Sequence, residues 1–334
     1  MTSDRVVSRM MAASSDEQMQ VRVVWLYYME GCTQLEIADM LSTNRLRVNK
    51  IIAEARKSGL VTITLNSKLK SCVELEQQLM AEFSLNHVTI IPTPENPKLI
   101  PALLGQATAD YLVQQINTTK ITGLGVGWGA TLREMVRCIP ALKRPEICVN
   151  SVMGGLTHGI EINTFDIASD LARQLNAQCA YLAAPIYAGS ARSRDAIISQ
   201  DVFEEAFRRI KTNDIMVLTI GDMTDSSLLM RYGLPTDVTV DELLAAGACG
   251  DVVAQFIDCY GKPIKHSINE RAIAPSFEEL RKVPRVVFTS GGLNKANAIA
   301  AVLLAGIGNV LFCDEKTARR ARKIALRLKK QQRG

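Results

Sequence analysis

Beyond Asn86 the sequence alternates between short apolar segments and amphipathic stretches, and no other feature limits the fold as strongly. Segments such as HVTIIP, KITGLGVG and DIMVLTIGD have the length and β-branched residues of strands, whereas residues 99–117 and 163–175 show the apolar spacing of helices. Apolar strands that alternate with amphipathic helices predict a parallel sheet covered on both faces. Small-molecule sites in such α/β sheets lie beyond the carboxyl ends of the strands.

The length and composition fit two domains without a membrane segment. The chain has 334 residues, 47% of them hydrophobic, and no apolar run reaches the roughly twenty residues that cross a bilayer. Residues 1–16 contain acids and no continuous apolar stretch, so they are not a secretory signal, and we expect them to be mobile and outside the fold. The eight cysteines form no CxxC pair and have no histidine at zinc spacing, which predicts a cytoplasmic protein with reduced thiols and no metal site.

Residues 17–66 have the pattern of a helix-turn-helix domain. A first helix is predicted over residues 20–31, and residues 34–51 (QLEIADMLSTNRLRVNKI) then divide into two short helices around a polar turn. In that turn, Ser42 occupies a position where glycine is usual. The strand-like segment GLVTITLN, residues 59–66, is a candidate wing. The alternative to a DNA-binding domain is a helical hairpin inside an ordinary bundle.

The distribution of charge favours DNA binding. Residues 45–70 contain seven basic side chains and one acid, whereas residues 71–315 contain twenty basic and twenty-seven acidic side chains. A basic N-terminal domain joined to an acidic α/β domain indicates that the N-terminal domain alone binds nucleic acid. The side chains expected to contact DNA phosphates and base edges are those of Thr33, Gln34, Thr43, Asn44, Arg45, Arg47, Asn49 and Lys50.

Two segments flank the predicted α/β domain. Residues 67–84 have the apolar spacing of a linker helix. Residues 316–334 contain nine basic residues and no acid. This run fits either an accessory DNA contact or the solvated face of a terminal helix, and we favour the solvated face.

The glycine-rich segment GLGVGWGAT, residues 123–131, is the clearest candidate ligand loop because it follows a predicted strand. Its glycines let backbone N–H groups close around an anion, Thr131 adds a hydroxyl, and the following helix contributes its positive end. A dinucleotide site is disfavoured, since Ala130 stands where the third glycine of a G-x-G-x-x-G frame starting at Gly125 would be required. We favour a phosphate or polyol cradle over a merely tight turn.

Three other strand ends offer groups for a ligand. Gly154 and Gly155 permit close approach of the backbone, and His158 follows them. The carboxylate of Asp258 suits the paired hydroxyls of a sugar, although a plain turn aspartate is an equal alternative. Lys295 lies in the first turn of a predicted helix, where its charge is unfavourable unless an anion offsets it, and this predicts a phosphate partner.

Several spaced motifs occur in order along nearly the full length of the chain, namely LYYMEGCTQLEIADML, GVGWGAT, YLAAP, AGACGDVVAQFIDCYGKPI, SGGLNKANAIAAVL and IGNVLFCDEKTAR. Together they resemble the SorC family of bacterial sugar-responsive transcriptional regulators. The resemblance implies an α/β protein with an N-terminal winged helix-turn-helix and a Rossmann-like parallel-sheet domain similar to sugar-phosphate isomerases. It also implies that residues 85–330 bind a phosphorylated sugar or polyol effector and assemble the protein into a tetramer, a dimer of dimers.

The resemblance assigns roles to particular positions. The phosphate cradle would comprise Gly127, Gly129, Ala130 and Thr131. Lys295 would offset the phosphate charge, and Asp258 would bind the hydroxyls of the effector. The opposite wall would comprise Gly154 and Gly155. The sequence thus predicts a repressor of a carbohydrate or polyol catabolic operon, with operator DNA as its partner, no cofactor and no catalytic residues. The alternative is a sugar-phosphate isomerase-like enzyme fused to a DNA-binding domain. Arg45-Leu46-Arg47 departs from the serine or threonine and proline usual in the family, which predicts a distinct operator.

Overall fold

In the computed structural model, residues 3–61, 69–156 and 163–332 are described, the first thirteen of them by backbone alone. The chain divides into two compact units, Met1–Ser67 and Lys68–Gly334. Most of the candidate wing and all of the loop containing His158 lie outside the described residues. In the part of the chain that is described, no helix is both long and apolar enough to cross a membrane.

The first unit contains helices α1 (Ser3–Tyr28), α2 (Gln34–Met40) and α3 (Arg45–Lys57). Helix α1 is longer than expected: it begins at Ser3, inside the segment that the sequence predicts to be mobile, because no glycine or proline interrupts residues 3–28. Inward-facing side chains of the three helices form a small core that includes Val23, Ile37 and Val48.

The second unit alternates helices and strands as predicted. Its helices are α4 (Lys70–Phe83), α5 (Ile100–Thr118), α6 (Ala130–Cys138), α7 (Thr164–Leu175), α8 (Ala191–Ile198), α9 (Asp201–Lys211), α10 (Val240–Ala245), α11 (Ser267–Arg271), α12 (Phe277–Arg281), α13 (Ala296–Ala305) and α14 (Glu315–Gln331). Its strands are β1 (His87–Ile91), β2 (Gly123–Val126), β3 (Cys148–Ser151), β4 (Gln178–Ala180), β5 (Ile215–Leu218), β6 (Ile220–Gly221), β7 (Gly250–Val252), β8 (Gln255–Ile257), β9 (Arg285–Thr289) and β10 (Val310–Asp314).

Across the described residues, seven strands form one parallel sheet in the order β1-β10-β9-β5-β2-β3-β4. The chain runs outward from β2 through β3 to β4, returns to β5 on the other side of β2, and continues to β9 and β10. With β1 added at one edge, this is the doubly wound order, and its switch point lies between β2 and β5. The predicted Rossmann-like α/β fold is therefore confirmed.

Apolar side chains pack on both faces of this sheet. Along β5, Ile215 and Val217 belong to one core, whereas Met216 and Leu218 belong to the other. This alternation explains why the strand is apolar throughout, since each face of a doubly wound sheet is covered by helices.

Helix α4 is part of the second unit, although the sequence predicts a linker there. Its Leu75 and Leu79 are buried in one of the two cores, because β1 and α14 cover its apolar stripe. Arg322 of α14 donates two hydrogen bonds to the Glu82 carboxylate, at 2.7 and 2.5 Å. Helix α4 is therefore fixed to the α/β domain.

A small antiparallel sheet brings a second set of residues to the carboxyl end of β5. In the described residues it has three strands in the order β6-β7-β8, and it pairs Gly221 with Asp251. Because β6 follows β5 after a single residue, this sheet lies beside the switch point.

Candidate functional site

A cavity of about 210 Å³ lies at the carboxyl ends of β2 and β5, at the switch point of the large sheet. Its walls come from the loop after β2, from β6 and β7, and from the turn that precedes α13. Ligand sites of doubly wound sheets occupy this position, because the connections on the two sides of the switch point diverge. The apolar part of the lining includes Trp128, Met153, Leu228 and Leu229.

The loop between β2 and α6, which the sequence predicts to be an anion cradle, forms one wall of the cavity. Gly129 has φ +128°, a conformation that residues with a side chain rarely adopt, and it lies against Thr219. The Thr219 hydroxyl donates to the Trp128 carbonyl at 2.7 Å and so fixes the loop. Helix α6 begins at Ala130 without a side-chain cap, so its first N–H groups can bind an anion. The predicted cradle residues that line the cavity are Gly127, Gly129, Ala130 and Thr131.

Lys295, which the sequence predicts to bind a phosphate, also lines the cavity. It ends a short 3₁₀ turn, Leu293–Lys295, and its Nζ donates to the Ile220 carbonyl at 2.7 Å. Burial lowers the pKa of Lys295, while the nearby carboxylates of Asp222 and Asp251 act in the opposite direction. The Nζ has two further N–H donors for a ligand.

Asp251, which the sequence analysis missed, lies on β7 at the cavity wall and is only 5% exposed. Burial raises the pKa of Asp251 to about 7, although Lys295 lowers it. A Cβ at position 221 would overlap the Asp251 carboxylate, so Gly221 is required where β6 crosses it. Near neutral pH this carboxyl can therefore donate as well as accept a hydrogen bond.

Asp222, also missed, is the second carboxylate at the cavity. It accepts hydrogen bonds from the Asn294 side chain at 2.8 Å and from the Thr224 backbone N–H at 2.9 Å. Both aspartates follow a glycine, at residues 221–222 and 250–251, and this Gly-Asp pairing at strand ends is the signal that could have identified them.

Asp258 lies outside the cavity lining. Its Oδ1 accepts the backbone N–H groups of Tyr260 at 2.8 Å and Lys262 at 3.0 Å. These are the contacts of a turn aspartate, which was the alternative interpretation. The structure therefore does not bring Asp258 to the cavity.

Gly154 and Gly155 allow the backbone to pack closely against neighbouring segments of the chain. The Gly154 N–H donates to the Ile273 carbonyl at 3.0 Å, and the Gly155 N–H donates to the Ala184 carbonyl at 2.8 Å. A Cβ on Gly154 would meet the carbonyl of Pro185. Neither glycine is among the lining residues, and it is the preceding residue, Met153, that reaches the cavity.

The first unit has the local geometry of a helix-turn-helix. The Thr33 side chain accepts the Glu36 N–H at the start of α2, and the Asn44 side chain accepts the Arg47 N–H at 2.8 Å at the start of α3. Ser42 has φ +48°, so the turn does adopt the conformation for which glycine is usual. Two of the predicted DNA-contacting side chains are thus engaged as helix caps.

The exposed face of α3 presents a mixture of hydrogen-bonding, basic and apolar groups. Gln34 Nε2 lies 3.5 Å from Asn49 Oδ1, and Arg47 lies 3.4 Å from Asp16 of α1. Leu46, which was not among the predicted contacts, is 82% exposed. The other predicted side chains are exposed on α3 or partly exposed in the turn, namely Arg45, Lys50 and Thr43.

The fold and the cavity define a ligand-binding α/β domain in a chain that also has a helix-turn-helix. Residues 67–321 match the family described as "Putative sugar-binding domain". The chain belongs to this family, the SorC family of sugar-responsive transcriptional regulators.

Known proteins resemble the chain over most of its length. The erythritol catabolism regulatory protein EryD of Brucella abortus is 26% identical over 92% of this chain and 97% of its own. The transcriptional regulator LsrR of Escherichia coli K12 is 28% identical over 91% of this chain and 94% of its own. The full-length sorbitol operon regulator SorC of Klebsiella pneumoniae has the same fold, with a TM-score of 0.68, 22% identity and coverage of 91% of this chain and 98% of its own.

Proposed function

We propose that this protein represses an operon for carbohydrate or polyol catabolism and releases its operator when a phosphorylated sugar or polyol fills the cavity. The observation that supports this most directly is the division of the cavity lining. An uncapped helix N-terminus and Lys295 offer donors to an anion, whereas Asp222 and Asp251 offer carboxyl groups to hydroxyls. The name of the Brucella relative, an erythritol catabolism regulator, favours a short polyol.

The phosphate is bound by the first turn of α6. Its N–H groups and the Thr131 hydroxyl donate to the phosphate oxygens, and Lys295 offsets the charge. The cavity of about 210 Å³ is small, so it suits a short sugar or polyol phosphate rather than an oligosaccharide.

The hydroxyl groups of the effector are bound by the two cavity carboxylates. Asp222 accepts from a hydroxyl, and Asp251 accepts or donates according to its protonation. In this proposal Asp222 and Asp251 take the role that the sequence assigns to Asp258.

Helix α3 enters the major groove of the operator. Arg45 and Asn49 then read base edges, the exposed Leu46 contacts a thymine methyl group, and Lys50 with Arg47 binds phosphates. A cytoplasmic homo-tetramer, a dimer of dimers, presents such helices in symmetric pairs to operator half-sites.

Three variants test the proposal by separating its parts. We expect Thr131→Val, which removes one hydroxyl at nearly constant shape, and Lys295→Gln to abolish the effector response while operator binding persists. We expect Arg45→Ala to weaken operator binding by about 1–3 kcal/mol while the effector still raises the melting temperature.

The measurements are a thermal-shift screen of phosphorylated and unphosphorylated sugars and polyols, and operator binding by fluorescence anisotropy with and without each hit. An unphosphorylated compound that stabilises wild type and Lys295→Gln equally would contradict the phosphate assignment. An unchanged operator affinity in Arg45→Ala would contradict the placement of α3.

Isomerisation of a sugar phosphate is a second candidate function at the same site. The specific observation is that the cavity holds a carboxyl with a raised pKa and an amine with a lowered pKa, which are suited to proton transfer. Incubating the protein with each stabilising sugar phosphate and finding an isomeric product would favour this function. Quantitative recovery of the unchanged compound would favour the regulator.

A further inference from the structure

The outer face of α14 presents a continuous row of basic side chains, which we name the basic stripe. Its members recur at alternating intervals of four and three residues, which places them on one side of the helix. The basic stripe consists of Lys316, Arg320, Lys323, Arg327 and Lys330.

The other described basic residues of α14 have partners. Arg319 pairs with Glu315 at 2.7 Å, Arg322 binds the Glu82 carboxylate, and the Lys329 ammonium donates to the Glu82 carbonyl at 3.1 Å. Within the described residues, no hydrogen bond or ion pair is formed by any side chain of the basic stripe, and all of these side chains are exposed. The helix thus divides its charge between a flank that fixes it to α4 and a face without partners.

The basic stripe lies opposite the buried face of α14. Ala318, Ala321, Ala325 and Leu328 are buried in the α/β domain, so they orient the helix with its basic stripe toward solvent. From Lys316 to Lys330 the helix rises by fourteen residue steps, which extend about 21 Å. A DNA duplex has about twelve phosphates over that length, at one charge per about 1.7 Å of axis.

We propose that the basic stripe is a second nucleic-acid contact, which binds the phosphate backbone of duplex DNA without reading its sequence. This inference rests on the proposed function, because it assumes that the protein works on DNA. The basic stripe also offsets an electrostatic repulsion. Residues 71–315 contain twenty-seven acids and twenty bases, so their net negative charge is repelled by a DNA duplex. A positive face lets the domain lie near the DNA that the helix-turn-helix binds.

The chemistry of the stripe favours DNA over two other partners. An amphipathic helix that binds a lipid bilayer inserts an apolar face, but the apolar face of α14 is buried within its own domain. Protein interfaces are centred on aromatic and apolar anchors, and the basic stripe contains neither. A row of charges alone matches a polyanion.

The experiment compares two full-length variants that lose the same amount of charge. The test variant neutralises four members of the stripe, and the matched control neutralises four exposed lysines elsewhere in the second unit. The test substitutions are Arg320→Gln, Lys323→Gln, Arg327→Gln and Lys330→Gln. The control substitutions are Lys98→Gln, Lys120→Gln, Lys143→Gln and Lys282→Gln.

The affinity for an operator duplex and for a random duplex is measured by anisotropy over a series of salt concentrations. We expect the test variant to lose about tenfold or more in affinity for both duplexes. The slope of log K against log salt should fall by about 0.9 for each phosphate contact removed. The control variant should keep the wild-type slope. Thermal unfolding and the effector-induced shift identify a variant that is misfolded.

The outcomes separate this inference from the proposed function. If the folded test variant and the control bind both duplexes alike, the basic stripe is a solvated face and the inference is overturned. The inference is likewise overturned if the test variant loses only its binding to vesicles of phosphatidylserine and phosphatidylcholine. If wild-type protein shows no preference for any operator while the test variant alone loses random-duplex affinity, the stripe stands and the proposed function fails.

Discussion

At the scale of single residues, the protonation of Asp251 in the cavity makes the stability of the protein depend on pH. Its pKa is raised to about 7 in the folded protein from an ordinary 3.8, because burial disfavours its charged form. Between these two values the folded protein holds a proton that the unfolded chain has released, so stability falls as pH rises through this window. Neutralising the group by Asp251→Asn should therefore remove a pH-dependent loss of stability.

We predict that the free energy of unfolding of wild type declines relative to that of Asp251→Asn between pH 5 and pH 7. The relative decline should be at most about 1.4 kcal/mol per pH unit. Urea unfolding at several pH values, followed through Trp128 in a Trp25→Phe background, measures it. Parallel pH profiles for the two proteins would show that the carboxyl is ionised throughout.

The same residues mark the limit of prediction from sequence. Lys295 and the loop from Gly127 to Thr131 could be predicted because helix dipoles and glycine conformation act locally. Asp222 and Asp251 could not be separated from Asp258 by sequence alone, since Asp251 lies within β7 whereas Asp222 and Asp258 directly follow strands. Only the pairing of β6 with β7 decides which carboxylate faces the cavity, and that pairing is a long-range property.

At the scale of elements, periodicity predicted the helices and strands of the α/β domain well, because buried strands and amphipathic helices have different apolar repeats. Helix α5, predicted over residues 99–117, spans Ile100–Thr118. The linker prediction at α4 was incomplete, since an apolar stripe does not say which surface covers it. Here α14 and β1 cover that stripe.

The turn between α2 and α3 gives a prediction at this scale. Ser42 has φ +48°, which costs a residue with a Cβ about 1 kcal/mol relative to glycine. We expect Ser42→Gly to stabilise the helix-turn-helix unit by about 0.5–1 kcal/mol, in spite of the added freedom of the unfolded chain. Ser58→Gly is the matched control, because Ser58 is the C-cap that follows α3, with φ −78°, and its backbone conformation gains nothing from glycine.

Unfolding of this unit is followed through Trp25 in a Trp128→Phe background. A stabilisation in the control as large as that in Ser42→Gly would point to a general effect of glycine rather than to the turn. Destabilisation by Ser42→Gly would mean that its hydroxyl contributes more than its backbone conformation costs.

At the scale of the whole molecule, sequence and structure define two units, and regulation requires a free-energy coupling between their ligands. The coupling is reciprocal by thermodynamic necessity: if the effector weakens operator binding by some factor, operator DNA weakens effector binding by the same factor. Each tenfold change corresponds to about 1.4 kcal/mol. A ligand with equal affinity for both states would change nothing, however tightly it binds.

We predict that operator DNA reduces the affinity for the effector by about five- to 150-fold, the range typical of allosteric proteins. Isothermal titration of the effector into free and operator-bound protein gives one factor, and operator titration with and without saturating effector gives the other. Arg45→Ala is the control, because the same duplex concentration should leave its effector affinity unchanged. Each factor is the ratio by which one ligand reduces the affinity for the other. Two equal factors greater than one support effector-driven release, whereas factors below one identify a co-repressor. Factors of one would mean that the cavity does not control DNA binding.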